Sequence, residues 1–229
     1  MIWVRASVRR LWGDGGVIIA IDGPAGSGKG TLAQALGDRF GYAVLDTGLI
    51  YRAVGMKVLR DGANPSDVEA AVNAARHLRP DDVLDPNLRN EDAAAAASLI
   101  SAFPSVRAEL LEFQREFARH PPGNSAGAVL DGRDIGTNIC PNAPVKFFIT
   151  ARPEVRADRR VQELRGWGHV VDADAVLADI KLRDERDIYR SVAPLRPADD
   201  AVILDTSNMT AEEVLTWALD YIKNRVRSG

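Results

Sequence analysis

Residues 21–31 read IDGPAGSGKGT, with the apolar run VIIAI ending inside them and the helical pattern TLAQALGDRF following. Gly23, Gly28 and Lys29 meet the pattern G-x-x-x-x-G-K, in the strand-to-helix context its chemistry requires. Glycines let successive backbone N–H groups turn inward around an anion, and the start of the next helix adds partial positive charge. A loop with almost no side chains and one amine is therefore read as a phosphate cradle. Gly23, Pro24, Ala25, Gly26, Ser27, Gly28, Gly30 and Thr31 would wrap the phosphates, and Lys29 would reach the outer ones.

Outward from this loop, branched apolar runs recur at VIIAID (17–22), YAVLD (42–46), GAVLDG (127–132), VKFFIT (145–150) and AVILD (201–205). Uninterrupted apolar runs suit strands buried on both faces. Helical patterns separate them: Leu32, Leu36 and Phe40; Val106, Leu110, Phe113 and Phe117 within 104–119; and Val214, Trp217 and Tyr221 after a Thr210–Glu213 capping box. Alternation of this kind predicts an α/β fold, a five-stranded parallel sheet with helices on both faces. About eighty residues without a strong strand, 47–126, predict a helical insertion over the carboxyl edge of the sheet. A second insertion, 152–172, carries Arg152, Arg156, Arg159, Arg160 and Arg165 before GWGH, and reads as a small lid with a hinge or helix tip at its glycines.

The chain has 229 residues, 46% of them hydrophobic, enough for one core; a single unit over 17–229 is expected. A net charge of -3 argues against a coat for nucleic acid or for an anionic membrane, so anion binding has to be local. Arginine makes up 24 of the 29 basic residues, a bias that codon usage can also produce. Cys140, the only cysteine, has no partner for a disulfide or metal site and fits a reducing cytoplasm. No apolar run approaches the ~18 residues of a membrane span, and a soluble monomer is expected. Residues 1–16 lack the apolar stretch of a secretory signal and read as an N-terminal extension without order.

Two arginine-bearing turns leave expected strands, LDTGLIYR (45–52) and LDGRDIG (130–136). Ligands gather beyond the carboxyl ends of strands in open α/β sheets, so Arg52, Arg133 and Lys29 should converge on one crevice. In IKLRDERDIYR (180–190), Arg183, Asp187 and Arg190 share a helix face; it is either a solvated, ion-paired helix or a charged wall closing on phosphates. Phosphoryl transfer gives such a wall a purpose, because catalysis there consists mostly of alignment, positive charge and exclusion of water. From the residues alone the chain is a phosphotransferase with a phosphate-binding loop. A nucleotide-binding regulatory module is the alternative from another class.

After Lys29 stands Gly30, where GTPases and motor-type ATPases carry the Ser or Thr that ligates magnesium; GKGT resembles the nucleoside monophosphate kinases instead. GPAGSGKGT, LDTGLIYR, AASLISAFPSVR, LDGRDIGT, PNAPVKFFITA, RDERDIYR and VAPLRPADDAVILDTS, in that order over about 17–227, resemble the bacterial cytidylate kinases. The resemblance implies a P-loop kinase that moves the γ-phosphoryl group of ATP, with Mg2+, to CMP or dCMP; another small acceptor such as UMP or a hydroxy acid is the alternative. It implies that Ser98, Arg107 and Asp134 read the base, the carboxylate taking the 4-amino group of cytosine and Arg107 donating to the ring nitrogen and carbonyl. Asp187, with Arg183, would hold the sugar, and Arg52, Arg133 and Arg190 the acceptor phosphate, with Thr47 near base and phosphate. Lys29, Arg133, Arg183 and Arg190 would supply the catalytic charge. Arg156, Arg159 and Arg160 of the lid would take the donor's phosphates. Thr31, and Asp131 through water, are the candidates for magnesium. Family members usually carry a longer insertion with a small antiparallel sheet, for which DDVLDPNLRNED (81–92) leaves little room.

Overall fold

A computed structural model describes residues 17–228; the extension expected over 1–16 lies outside the described residues. Five strands form one parallel sheet: β1 (Val17–Asp22), β2 (Ala43–Asp46), β3 (Gly127–Gly132), β4 (Val145–Thr150) and β5 (Val202–Asp205), in the order β2-β3-β1-β4-β5. The expected strands are all present; the second and fifth begin one residue later than their apolar runs. β1, β3 and β4 are almost wholly buried, as their unbroken apolar runs require, whereas the outer strands are not: Ile203 of β5 is 57% exposed.

Helix α1 (Lys29–Phe40) directly follows the loop and ends at Gly41, whose left-handed conformation lets its N–H close on the Gly37 carbonyl. It packs with the last helix, α8 (Ala211–Ser228), on one face of the sheet. Leu32, Leu36 and Phe40 there meet Val214, Ala218 and Ile222 over Ile19, Val129 and Phe147. Thr210 and Glu213 make the expected capping box at the start of α8. Truncating the fully buried Leu36 to alanine would cost about 2–5 kcal/mol.

The insertion comprises α2 (Thr47–Arg60), α3 (Val68–Arg76), α4 (Glu91–Ile100) and α5 (Pro104–Arg119), with 3-10 turns at Pro80–Leu84 and Pro86–Arg89 instead of any strand. It has its own core of Ile50, Val54, Val58, Ala74, Val106 and Leu110. In α5 the bounds match the sequence reading, and Val106 and Leu110 are buried as expected with Phe117 packed against the core, but the face departs at one position. Phe113 is 44% exposed, while Arg107 and Gln114 are inside. The helix turns a polar pair inward because its inner face borders the sheet's carboxyl edge as well as apolar neighbours. The segment read as a lid, 152–172, holds α6 (Pro153–Gly166) and a turn with Gly168 at φ 84, which leads into α7 (Ala173–Tyr189) to form a helical hairpin.

Candidate active site at the carboxyl edge of the sheet

β1 delivers the chain to the loop, where Gly23 and Gly26 are closely approached by neighbouring atoms. A Cβ on Gly23, at φ 151, would overlap the Ile149 carbonyl oxygen of β4. Gly26, at φ 73, lies against Arg156, whose Cβ and carbonyl oxygen would be 3.1 and 3.2 Å from an added Cβ. Beyond the loop opens a cavity of about 1040 Å³ running from α8 to α4 and α5.

The structure brings most of the sequence-predicted residues to this cavity. Ala25, Gly26, Ser27, Gly28, Lys29, Gly30 and Thr31 line one end. Lys29 is half-buried, with its Nζ 3.7 Å from Asp131 Oδ1 and 3.4 Å from the Pro24 carbonyl. Burial lowers the pKa of its ammonium, and neighbouring Arg133 lowers it further against the pull of Asp131. Burial likewise pushes Asp131 up to about 6, although Lys29 draws it down. Both charged forms are thus starved of solvation, a state that phosphate oxygens beside Lys29 would relieve for the cation. Asp131 Oδ1 and Ser27 Oγ are buried without a hydrogen-bond partner.

Thr47, Arg52, Ser98, Arg107, Arg133 and Asp134 line the other end, with Arg183, Asp187 and Arg190. Arg107 and Asp134, both nearly inaccessible, are paired at 2.6 Å. Arg107 also donates to the Ser101 carbonyl and stacks over Tyr51, its guanidinium 5.5 Å from the ring centre. Arg133 Nε donates to Asp187 at 2.8 Å, and Arg190 reaches the other carboxylate oxygen at 3.4 Å. Burial holds the pKa of Asp187 up, and the charges of Arg133 and Arg190 more than reverse this, leaving it below the usual carboxylate range. One amino group of Arg190, Nη2, is buried and unpartnered. Arg52 donates to the Leu88 carbonyl, and burial, with Arg183 close by, presses its pKa down to about 10. Arginines crowded this way call for an anion. Thr47 donates its hydroxyl to the Asp131 carbonyl, so it braces β3 while lining the cavity. Arg183 bridges Asp179 one turn away, at 3.5 Å.

The lid arginines part company. Arg156 does not line the cavity: it is 2% exposed, clamps Asp184 of α7 at 2.5 and 3.0 Å, and donates to the carbonyls of Ala151 and Ala25. It is a strut under the loop rather than a free cation, because Asp184 and Ala25 claim its donors. Arg159 lines the cavity and grips Thr206 and the Ser27 carbonyl. Arg160 pairs with Glu163 and with Glu91 at the start of α4, and lies over Trp167. Lid and insertion are thereby bridged across the mouth.

Sequence reasoning missed Asp22. It is buried as the last residue of β1, and its two oxygens accept the N–H groups of Ile135 and Gly136 at 2.7 and 2.8 Å, directly after Asp134. A carboxylate closing an apolar strand one residue before a phosphate loop was the available signal. Thr206, Arg186 and Asp184 lie inside the quoted motifs but were also missed, because their partners Ser27, Ser98 and Arg156 are distant in sequence.

The family model described as Cytidylate kinase matches residues 19–224. A cytidylate kinase of Rhodospirillum rubrum is 57% identical over 91% of this chain and 98% of its own, and one of Paramagnetospirillum magneticum 56% identical over the same shares. A solved structure of an uncharacterized protein from Eubacterium ventriosum superposes with a TM-score of 0.51 at 16% identity, covering 90% of this chain and 98% of the other, a likeness of fold alone. With loop, sheet and charged cavity in place, and the match running through almost every described residue, the chain belongs to the cytidylate kinase family.

Proposed function

We propose that this chain transfers the γ-phosphoryl group of ATP to CMP or dCMP, yielding ADP and CDP or dCDP. The observation that carries the reading is one cavity with a phosphate loop at one end and a buried arginine–carboxylate pair, Arg107 and Asp134, at the other. Asp134 would accept from the 4-amino group of cytosine and Arg107 donate to its ring nitrogen and carbonyl, so uracil would leave a buried carboxylate unpaired. Ser98 completes the base site. Arg52, Arg133 and Arg190, the last with an idle buried donor, would hold the acceptor phosphate, and Asp187 and Arg183 the sugar. The loop amides, Lys29, Arg159 and Arg160 would hold the donor. Lys29, Arg133, Arg183 and Arg190 would stand around the transferred group, whose outer oxygens gain from fixed positive charge.

Magnesium fits the donor end: Asp131 Oδ1 is a buried oxygen lacking a partner, and Thr31 is an exposed hydroxyl on the cavity wall. Asp131, through water, and Thr31 would hold the ion, whose charge would offset that of the phosphates. We read 47–126 as the insertion carrying the acceptor and 152–172 as the lid of a single domain, acting as a monomer in the cytoplasm.

A coupled assay of ADP formation across CMP, dCMP, UMP and AMP tests the reading. Turnover should be largest with CMP and dCMP; equal efficiency with UMP or AMP would refute the assignment of the base site.

A further inference from the structure

We infer that Arg186, acting through Ser98, sets the hydrogen-bond polarity with which the acceptor base is read, and so belongs to the machinery that separates cytosine from uracil. The inference rests on the cavity being a CMP site. Arg186 lies on α7 and does not line the cavity; its Nη1 donates to Oγ of Ser98 on α4 at 3.2 Å, joining helices 88 residues apart in sequence. A guanidinium offers five donors and no acceptor, and stays protonated at any working pH. The Ser98 hydroxyl must therefore spend a lone pair on Arg186.

One proton is left on that hydroxyl. A serine inside a helix often returns it to a carbonyl in the preceding turn. Here, among the described residues, no acceptor receives it, and Ser98 lines the cavity. The residue is also tied to the base-reading pair, since Ser101 Oγ donates to the Ser98 carbonyl and Arg107 donates to the Ser101 carbonyl. A hydroxyl whose acceptor side is engaged by an arginine meets a ligand as a donor. Cytosine offers it the unprotonated ring nitrogen, an acceptor it would share with Arg107, whereas uracil carries hydrogen on that nitrogen and sets donor against donor; the 2-carbonyl, common to both bases, does not separate them. Without Arg186 the hydroxyl could turn and accept, and uracil would be tolerated better. Arg186 is thus a positioning residue.

The test measures kcat/KM for CMP and UMP, with ATP, in the full chain and in Arg186→Met, Arg186→Lys, Ser98→Ala and the Arg186→Met/Ser98→Ala double variant. Arg186→Met should lower the CMP:UMP ratio roughly 2- to 10-fold, the yield of one hydrogen bond, mainly through KM for CMP. Arg186→Lys should restore most of it, because an ammonium also only donates. Ser98→Ala should lower the ratio by a similar factor, and Arg186→Met should add nothing further in that background. Because the ratio is taken within one preparation, a partly unfolded sample does not shift it. An unchanged ratio in Arg186→Met, or effects that add in the double variant, would overturn the inference while leaving the kinase reading intact. A wild-type chain indifferent between CMP and UMP would overturn both.

Discussion

At the donor end of the cavity, cations hold the backbone of one contiguous loop: Arg156 and Arg159 donate to its carbonyls and Lys29 leans on the Pro24 carbonyl, with Asp131 3.7 Å from Lys29 and Asp184 tying Arg156 outside the cavity. At the acceptor end, cations are set against carboxylates: Arg107 on Asp134, Arg133 and Arg190 on Asp187, Arg183 on Asp179. Those partners come from α5, α7 and the turn after β3, so no single segment builds that end. Buried ion pairs add little net stability, since desolvation offsets their attraction. Their value here lies in exchange. A nucleotide bound there as proposed would have to replace or share existing pairs, and only a base with the right donors and acceptors would do so without stranding a charge. The donor end makes no comparable demand.

This division predicts that donor-end variants change rate for every acceptor, whereas acceptor-end variants change which acceptor is preferred. Replacing Lys29 by alanine should cut kcat roughly 100- to 1,000-fold with CMP and UMP alike, their ratio unmoved, in a coupled assay. A shifted ratio would break the division. Next in size, Asp134→Asn should drop the CMP:UMP ratio by about tenfold or more, because an amide both donates and accepts, with the affinity for an ATP analogue unaltered in calorimetry. Loss of ATP binding in that variant would show the two ends to be one network.

Asp22 joins the ends, as the residue before the loop that holds the turn after Asp134. Burial pushes its carboxyl up to about 7; the N–H groups of Gly136 and Ile135 oppose this and Asp134 and Asp131 add to it. The native chain thus holds this proton more tightly than the unfolded one, whose carboxyl titrates near 3.8. Its contribution to stability is fully present below about 3.8 and is lost as pH rises through about 7. Asp22→Asn cannot titrate. Between pH 5 and 8 the melting temperature of the wild type should therefore fall relative to this variant, and a constant difference would remove Asp22 as a titrating link. The smallest effect belongs to Glu91→Gln, which cuts the exposed bridge from Arg160 across the mouth. It should change stability by less than about 1 kcal/mol in denaturant titration. A larger loss would mean the lid and insertion are held together more firmly than one exposed pair allows.

The same contrast governs what could be read from the chain. The donor loop, the five strands and the bounds of α5 follow from contiguous residues whose chemistry is local: glycine spacing, apolar runs, a capping box. The acceptor end follows from pairs 27 and 54 residues apart, Arg107 with Asp134 and Arg133 with Asp187; residue spacing suggested Arg133 and Asp187 as lining the crevice, and only the resemblance pointed to Arg107 and Asp134. Arg156 shows the limit. Its place among lid arginines suggested a phosphate ligand, yet its fate was decided by Asp184, 28 residues on, and by the Ala25 carbonyl, 131 residues back. Phe113 shows another. An apolar residue at helical spacing was counted as core, but the buried stripe of α5 includes Arg107 and Gln114, whose inward direction no hydrophobic pattern records.

β1 is the middle strand, paired along both edges, and the loop hangs directly from its end. Amides in such a position exchange with solvent only when the whole sheet parts, so the cradle's anchor sits in the last region to open. Hydrogen exchange at the amides of β1 should therefore be slower than at the edge strands β2 and β5, and an opening of the loop that leaves the sheet intact would leave that protection unchanged.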